Sequence, residues 1–190
     1  MKPVFLFVDL LEDFFARPPH STRRRELVDA ANELASIARE AAAPIIWVRQ
    51  EFEPDLSDAF LAMRRTGRRV TIRGTPGCHI LAELDRRPED HEIVKKRYSA
   101  FFNTGLAELL DSLGCTHTVI CGVNTHACVR ATAIDAYQRD FHVLLAREAI
   151  ASYDDEFHRE SMRYLEQSIG TAMSNAELRE LLREATAGRP

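Results

Sequence analysis

Three side chains of different chemistry stand just beyond apolar runs. Asp9 follows PVFLFV (3–8), Lys95 falls near the end of EIVKKR (92–97), and Cys128 comes shortly after HTVICGV (117–123). A thiol becomes a strong nucleophile when it loses its proton, a carboxylate can accept that proton, and an ammonium can steady the negative charge that develops. Together they suit acyl transfer from a poor electrophile such as an amide, where two easier steps replace one difficult one. Each residue also has a purely structural reading. Asp9 could cap the segment that follows, Lys95 could be an exposed strand residue, and Cys128 could be a small core hydrophobe. Their shared position in the fold is what favours chemistry.

The elements that would position them alternate between β-branched or aromatic runs and stretches of helical period. PVFLFV is apolar at nearly every position, as a parallel strand covered on both faces should be. Residues 24–42 follow with Leu27, Ala31, Leu34, Ile37 and Ala38 on one helical stripe. Pro44 then precedes a strand at IIWVRQ (45–50). Further strands are predicted at 92–97, 117–123, 141–146 and 170–174, and helices at 104–113, 126–139, 154–167 and 175–185. The pattern predicts an α/β fold: a single Rossmann-like, doubly wound domain over residues 1–190, with a six-stranded, mostly parallel sheet flanked by helices. Such sheets bind ligands outside the carboxyl ends of their strands, where Asp9, Lys95 and Cys128 all fall. Residues 51–90 are irregular and contain Pro54, Gly67, Gly74, Pro76, Gly77 and Pro88. Short helices near 56–65 and 77–84 are expected there, in a segment that covers a site or an interface.

The 190 residues are 45% apolar and 28% charged, an ordinary composition for a soluble globular domain. A net charge of −4 gives no reason to expect a nucleic-acid partner, and the runs Arg23–Arg25 and Arg64–Arg69 read as solvated faces. Cysteines at 78, 115, 121 and 128 form neither a C-x-x-C pair nor a secreted disulfide framework, so reduced thiols and a cytoplasmic location are expected. Asp9 interrupts the first apolar run, which therefore reads as a strand and not a signal peptide. No run reaches the ~18 apolar residues of a membrane span, so no membrane partner is expected. The segment VDLLEDFF has no G-x-G-x-x-G turn, and no G-x-x-x-x-G-K-[ST] loop occurs elsewhere, which disfavours nucleotide binding by those mechanisms. Histidines 20, 79, 91, 117, 126, 142 and 158 show no metal-ligand spacing, so neither metal nor other cofactor is expected.

At the reactive residues the sequence also becomes recognisable. FLFVDLLEDFF, KKRYSAFFNTGL and ICGVNTHACVRATAIDAYQRDF, in that order, resemble the isochorismatase-like cysteine hydrolases. That family includes nicotinamidases, N-carbamoylsarcosine amidases and ureidoacrylate hydrolases. The most specific block is G-V-x-T-x-x-C-V-x-x-T-A-x-D-A, here Gly122 to Ala136. The resemblance groups Asp9, Lys95 and Cys128 as a catalytic triad and selects Lys95 over Lys96. It also implies a cis peptide between Val123 and Asn124, with the Asn124 and Cys128 N–H groups forming an oxyanion hole. Leu11 and Glu12 replace the amides of the usual D-x-Q-N-D-F block, a departure expected to alter substrate contacts or supporting hydrogen bonds. The D-x-H metal pattern of nicotinamidases is missing from RQEFEPDLSD (49–58). Isochorismate-cleaving members typically lack the cysteine, so its presence points to the amidase branch.

The expected activity is hydrolysis of a C–N bond in a small amide, carbamoyl or ureido compound through a thioester. A helix N-terminus and Lys95 would favour the thiolate, Asp9 would accept the proton, and Thr125 would cap the helix that carries Cys128. Phe14, Tyr98 and His126 are candidate substrate contacts, although core packing also suits Tyr98 and Phe101. The expected partners are a small-molecule substrate and further copies of the chain, as a homodimer or homotetramer. Two other readings remain open: a thiol redox or electrophile sensor, and a catalytically idle assembly module of the same fold.

Overall fold

Apolar residues on both faces make Pro3–Val8 (β1) a central strand, paired in parallel with Ile45–Gln50 (β2) on one side and His117–Val123 (β4) on the other. His91–Lys95 (β3) extends the sheet beyond β2, while His142–Ala151 (β5) and Gly170–Met173 (β6) extend it beyond β4. The computed structural model describes residues 1–187; the last three residues of the expected 1–190 domain lie outside the described residues. Among the described residues the order is β3-β2-β1-β4-β5-β6, and every pairing is parallel, where a mostly parallel sheet was expected. The chain winds outward from β1 to β3 and then returns to lay β4 beside β1. The carboxyl ends of β1 and β4 therefore flank the topological switch point, the place where such sheets open a crevice.

Seven helices flank the sheet among the described residues: Glu12–Phe15 (α1), His20–Glu40 (α2), Leu61–Thr66 (α3), Leu106–Ser112 (α4), Arg130–Tyr137 (α5), Asp155–Ser168 (α6) and Asn175–Ala187 (α7). The stripe of Leu27, Ala31, Leu34, Ile37 and Ala38 on α2 is buried, as its spacing predicted. α2 begins earlier than residue 24, at His20, directly after Pro18–Pro19. β5 runs five residues beyond the expected end at 146.

The irregular segment departs most from expectation. In place of a helix over 77–84 there is one 3₁₀ turn, Pro76–Cys78. The chain beyond it is held extended by bonds from Glu12 N–H to His79 O and from Leu81 N–H to Leu10 O, which occupy backbone groups a helix would need. The helix expected over 56–65 is confined to Leu61–Thr66, because Leu56 adopts a left-handed φ of 62° and the Asp58 carboxylate accepts from the Glu53 N–H. Phe52, Leu56, Ala59, Met63 and Ile72 bury a small core of their own. The Asp13 carboxylate fastens this unit to α1 by accepting from the Thr71 N–H at 2.6 Å. Gly77 packs so closely on that carboxylate that any Cβ there would collide with it.

Candidate active site

Asp9 is the residue after β1, and its backbone turns sharply, with φ of 56°. Its N–H donates to Val48 O, and its Oδ1 accepts from the Gln50 N–H at 2.8 Å, so the carboxylate leans sideways over the end of β2. Lys95 is the last residue of β3, two strands from β1 and so about 10 Å away across the sheet. The long lysine stem spans the end of β2 and brings Nζ to 2.6 Å from Asp9 Oδ2. Both side chains are fully buried. Lys95 also donates to Arg97 O at 3.1 Å and contacts Cys128 Sγ at 3.3 Å.

Cys128 reaches this pair because β4 can approach β1 closely. Gly122 has φ of 118°, and a Cβ there would strike the Val8 carbonyl. The Val123–Asn124 peptide that follows is cis. Thr125–Val129 then form a π-helical turn that leads into α5, so Cys128 sits on this turn and not in a regular first helical turn. The cap position is Asn124, with no side-chain capping bond. Thr125, expected as the cap, instead bonds its hydroxyl to His158 Nδ1 at 2.7 Å.

Burial of Cys128, with the Asp9 carboxylate second, raises the thiol pKa, and Lys95 offsets this only in part. The net direction is upward, so the resting group is a thiol, although the helix N-terminus and Lys95 were expected to favour the thiolate. Burial alone would lower the Lys95 pKa, but its neighbours, the Asp9 carboxylate foremost, outweigh it and hold the ammonium charged.

A cavity of about 860 Å³ opens onto Cys128. Phe14, Tyr98 and His126, the candidate contacts, all line it, together with Phe60, Met63 and Arg68 from the irregular segment. His126 is pinned on both sides, Nδ1 to Ser152 Oγ at 2.6 Å and Nε2 to Tyr153 Oη at 3.1 Å. Tyr153 and Gln50 line the cavity although sequence reading did not single them out, and Arg68 does so from a run that was read as a solvated face. Tyr153 stands just beyond the carboxyl end of β5, and the strand-end rule finds it once β5 is taken to Ala151. Leu11 and Glu12 do not line the cavity. Leu11 is buried and bridges to Ile80, and Glu12 is held by both terminal nitrogens of Arg24 at 2.8 and 2.9 Å.

Among the described residues no three His, Cys, Asp or Glu side chains gather as a metal site. The carboxylates beyond β2 are engaged otherwise: Glu51 with Arg49, Glu53 with Arg73, and Asp58 with Lys96. The donor set here does not fit the metal carried by nicotinamidases.

A doubly wound parallel sheet with carboxylate, ammonium and thiol converging at its switch point defines the class. The particular family follows from the sequence: residues 3–177 match the isochorismatase domain model, and the chain belongs to that family. It is 32% identical over 161 residues to a probable inactive nicotinamidase of Arabidopsis thaliana, covering 80% of this chain and 82% of that one. It is 26% identical over 191 residues to the maleamate amidohydrolase of Pseudomonas putida, covering 96% and 87%. The crystal structure of a cysteine hydrolase from Pseudomonas syringae pv. phaseolicola superposes with a TM-score of 0.88 at 22% identity, covering 97% of this chain and 93% of that one.

Proposed function

We propose that this protein is a cysteine-dependent hydrolase that cleaves a C–N bond of a small amide, carbamoyl or ureido compound. The observation that carries the proposal is the contact of Lys95 with both Asp9 and Cys128 at the wall of a cavity large enough for such a substrate. Asp9 takes the proton as Cys128 Sγ attacks the carbonyl carbon, a route that suits a thiol that is neutral at rest. The C–S bond forms, and the carbonyl π electrons move to oxygen. The N–H groups of Asn124 and Cys128 hold that oxyanion. Its collapse breaks the C–N bond, and Asp9 returns the proton to the leaving nitrogen, releasing ammonia or an amine. Water, deprotonated by Asp9, then cleaves the thioester, and the sulfur recovers its proton.

Aromatic and aliphatic walls suit a compact organic acyl group. Among the described residues Arg68 is the only charged side chain lining the cavity, which favours substrates with a carboxylate at the end remote from the scissile bond. The relative described as inactive keeps the idle-module reading in view. Ammonia release from nicotinamide, maleamate, N-carbamoylsarcosine and ureidoacrylate, run beside Cys128→Ser and Asp9→Asn, decides between them. Release above both variants on at least one compound is expected. Equal background release on all of them overturns the hydrolase reading.

A further inference from the structure

His20 stands at the start of α2, far in sequence from the reactive residues, yet its Nε2 lies 2.6 Å from Asn124 Oδ1. The residue is only 3% exposed, its ring packs against Phe15 with centroids 5.4 Å apart, and Nδ1 is buried without a partner. Asn124 Oδ1 also receives the Tyr153 backbone N–H at 3.3 Å, and a backbone N–H can only donate. That oxygen is therefore an acceptor twice over, and His20 must supply the proton from Nε2. The neutral ring then leaves Nδ1 bare, which its unpartnered burial tolerates better than an N–H with nothing to accept it.

We propose that His20, in its neutral Nε2–H form, is a positioning residue that fixes the Asn124 segment for oxyanion binding; this rests on the hydrolase reading above. Asn124 lines the cavity beside Cys128, and its carbonyl accepts from the Ala127 and Val129 N–H groups. The side-chain bond to His20 is the tie between this junction and α2. Without it the carboxamide keeps only the longer bond from the Tyr153 N–H at 3.3 Å, and the backbone donor beside it is less firmly aligned. The charged or titratable groups acting on His20 are Arg23 on its own helix and His126 on the π turn, while the ring of α1 that faces it is uncharged Phe15. Arg23 also acts on His158, which holds the adjacent Thr125, so protons are discouraged on both supports of the turn.

Three variants test this. His20→Gln places an amide donor near the position of Nε2, His20→Asn places it too short to reach, and His20→Leu removes it. On whichever of the four amides the wild type hydrolyses fastest, Leu and Asn should lower kcat by about tenfold or more with KM within about twofold, and Gln should restore most of the rate. Alkylation of Cys128 by iodoacetamide should be unchanged in all three, because the tie does not touch the sulfur. The ¹⁵N shifts of the His20 ring should report the Nε2–H form at neutral pH. Wild-type kcat in Leu, equal impairment of Gln and Leu, an alkylation rate that falls with kcat, or a protonated Nδ1 would each overturn the proposal. If the wild type turns over none of the amides, the hydrolase reading fails and takes this one with it. Turnover that is indifferent to His20→Leu sinks this proposal alone.

Discussion

Replacing Lys95 with methionine tests whether the buried pair is truly ionic. Nζ and Asp9 Oδ2 are 2.6 Å apart, with no solvent at either side chain. At an effective dielectric constant of about 20 their attraction is about 6 kcal/mol before the cost of desolvating both ions. Methionine keeps an unbranched stem but leaves the carboxylate without a counter-charge. Breaking such a pair from one side costs about 3–5 kcal/mol. The Gln50 N–H still holds Oδ1 at 2.8 Å, so the expected loss is at the lower end, about 3 kcal/mol. Urea unfolding near neutral pH measures it, with Asp9→Asn and the double variant completing a cycle. Removing both charges should recover at least about 1.5 kcal/mol against the sum of the single losses. A Lys95→Met loss below about 1 kcal/mol, or strictly additive singles, would refute the claim that each ion is held by the other.

Three other outcomes follow from the same geometry. With burial and Asp9 holding Cys128 protonated, its alkylation by iodoacetamide, followed by mass spectrometry, should climb from about pH 7 to about pH 9 without a plateau. Asp9→Asn should speed it, while a wild-type plateau below about pH 8 would contradict the neutral thiol. Arg68→Ala should raise KM for carboxylate-bearing amides by about two- to fivefold and leave neutral amides unaffected, as expected of an exposed cation; equal KM changes for both classes would count against an anion contact. Burial lowers the pKa of His20, His117, His126 and His158, so as pH falls below about 6.5 the unfolded chain takes up protons that the folded one refuses. The melting temperature should therefore drop between about pH 6.5 and pH 5, and a flat or rising curve would show that these histidines titrate freely.

The sheet was legible because its central strands are apolar on both faces, a pattern that needs no tertiary information. Asp9, Lys95 and Cys128 were legible for a related reason: each ends or follows such a run, so a rule about strand ends collects them. That rule depends on boundaries, and an early end for β5 concealed Tyr153. The helix expected over 77–84 failed because its backbone groups serve residues 10–12, a long-range pairing that periodicity cannot register. Position in a motif left open whether Leu11 and Glu12 alter substrate contacts or supporting hydrogen bonds; in the fold one bridges to Ile80 through its backbone and the other pairs with Arg24. His20 carried no signal at all, since a lone histidine opening a helix reveals nothing about a partner 104 residues away.

Resting and reacting states of the proposed chemistry can be compared by charge alone. At rest the buried cluster holds one carboxylate, one ammonium and a neutral thiol, so its net charge is zero. Moving the proton from Sγ to Asp9 leaves one thiolate, one ammonium and a neutral acid, and the net charge is still zero. A low-dielectric site resists the creation of charge far more than its transfer between neighbours. Lys95, at 2.6 Å from Oδ2 and 3.3 Å from Sγ, is placed to balance either anion without moving. At the end of β2 the backbone N–H of Gln50 holds Oδ1 at 2.8 Å without using a side chain. Placing the ammonium on β3 lets one face of the carboxylate be fixed by backbone while the other shares a cation with the sulfur. That division explains why so wide a span of the sheet is needed for three side chains that touch.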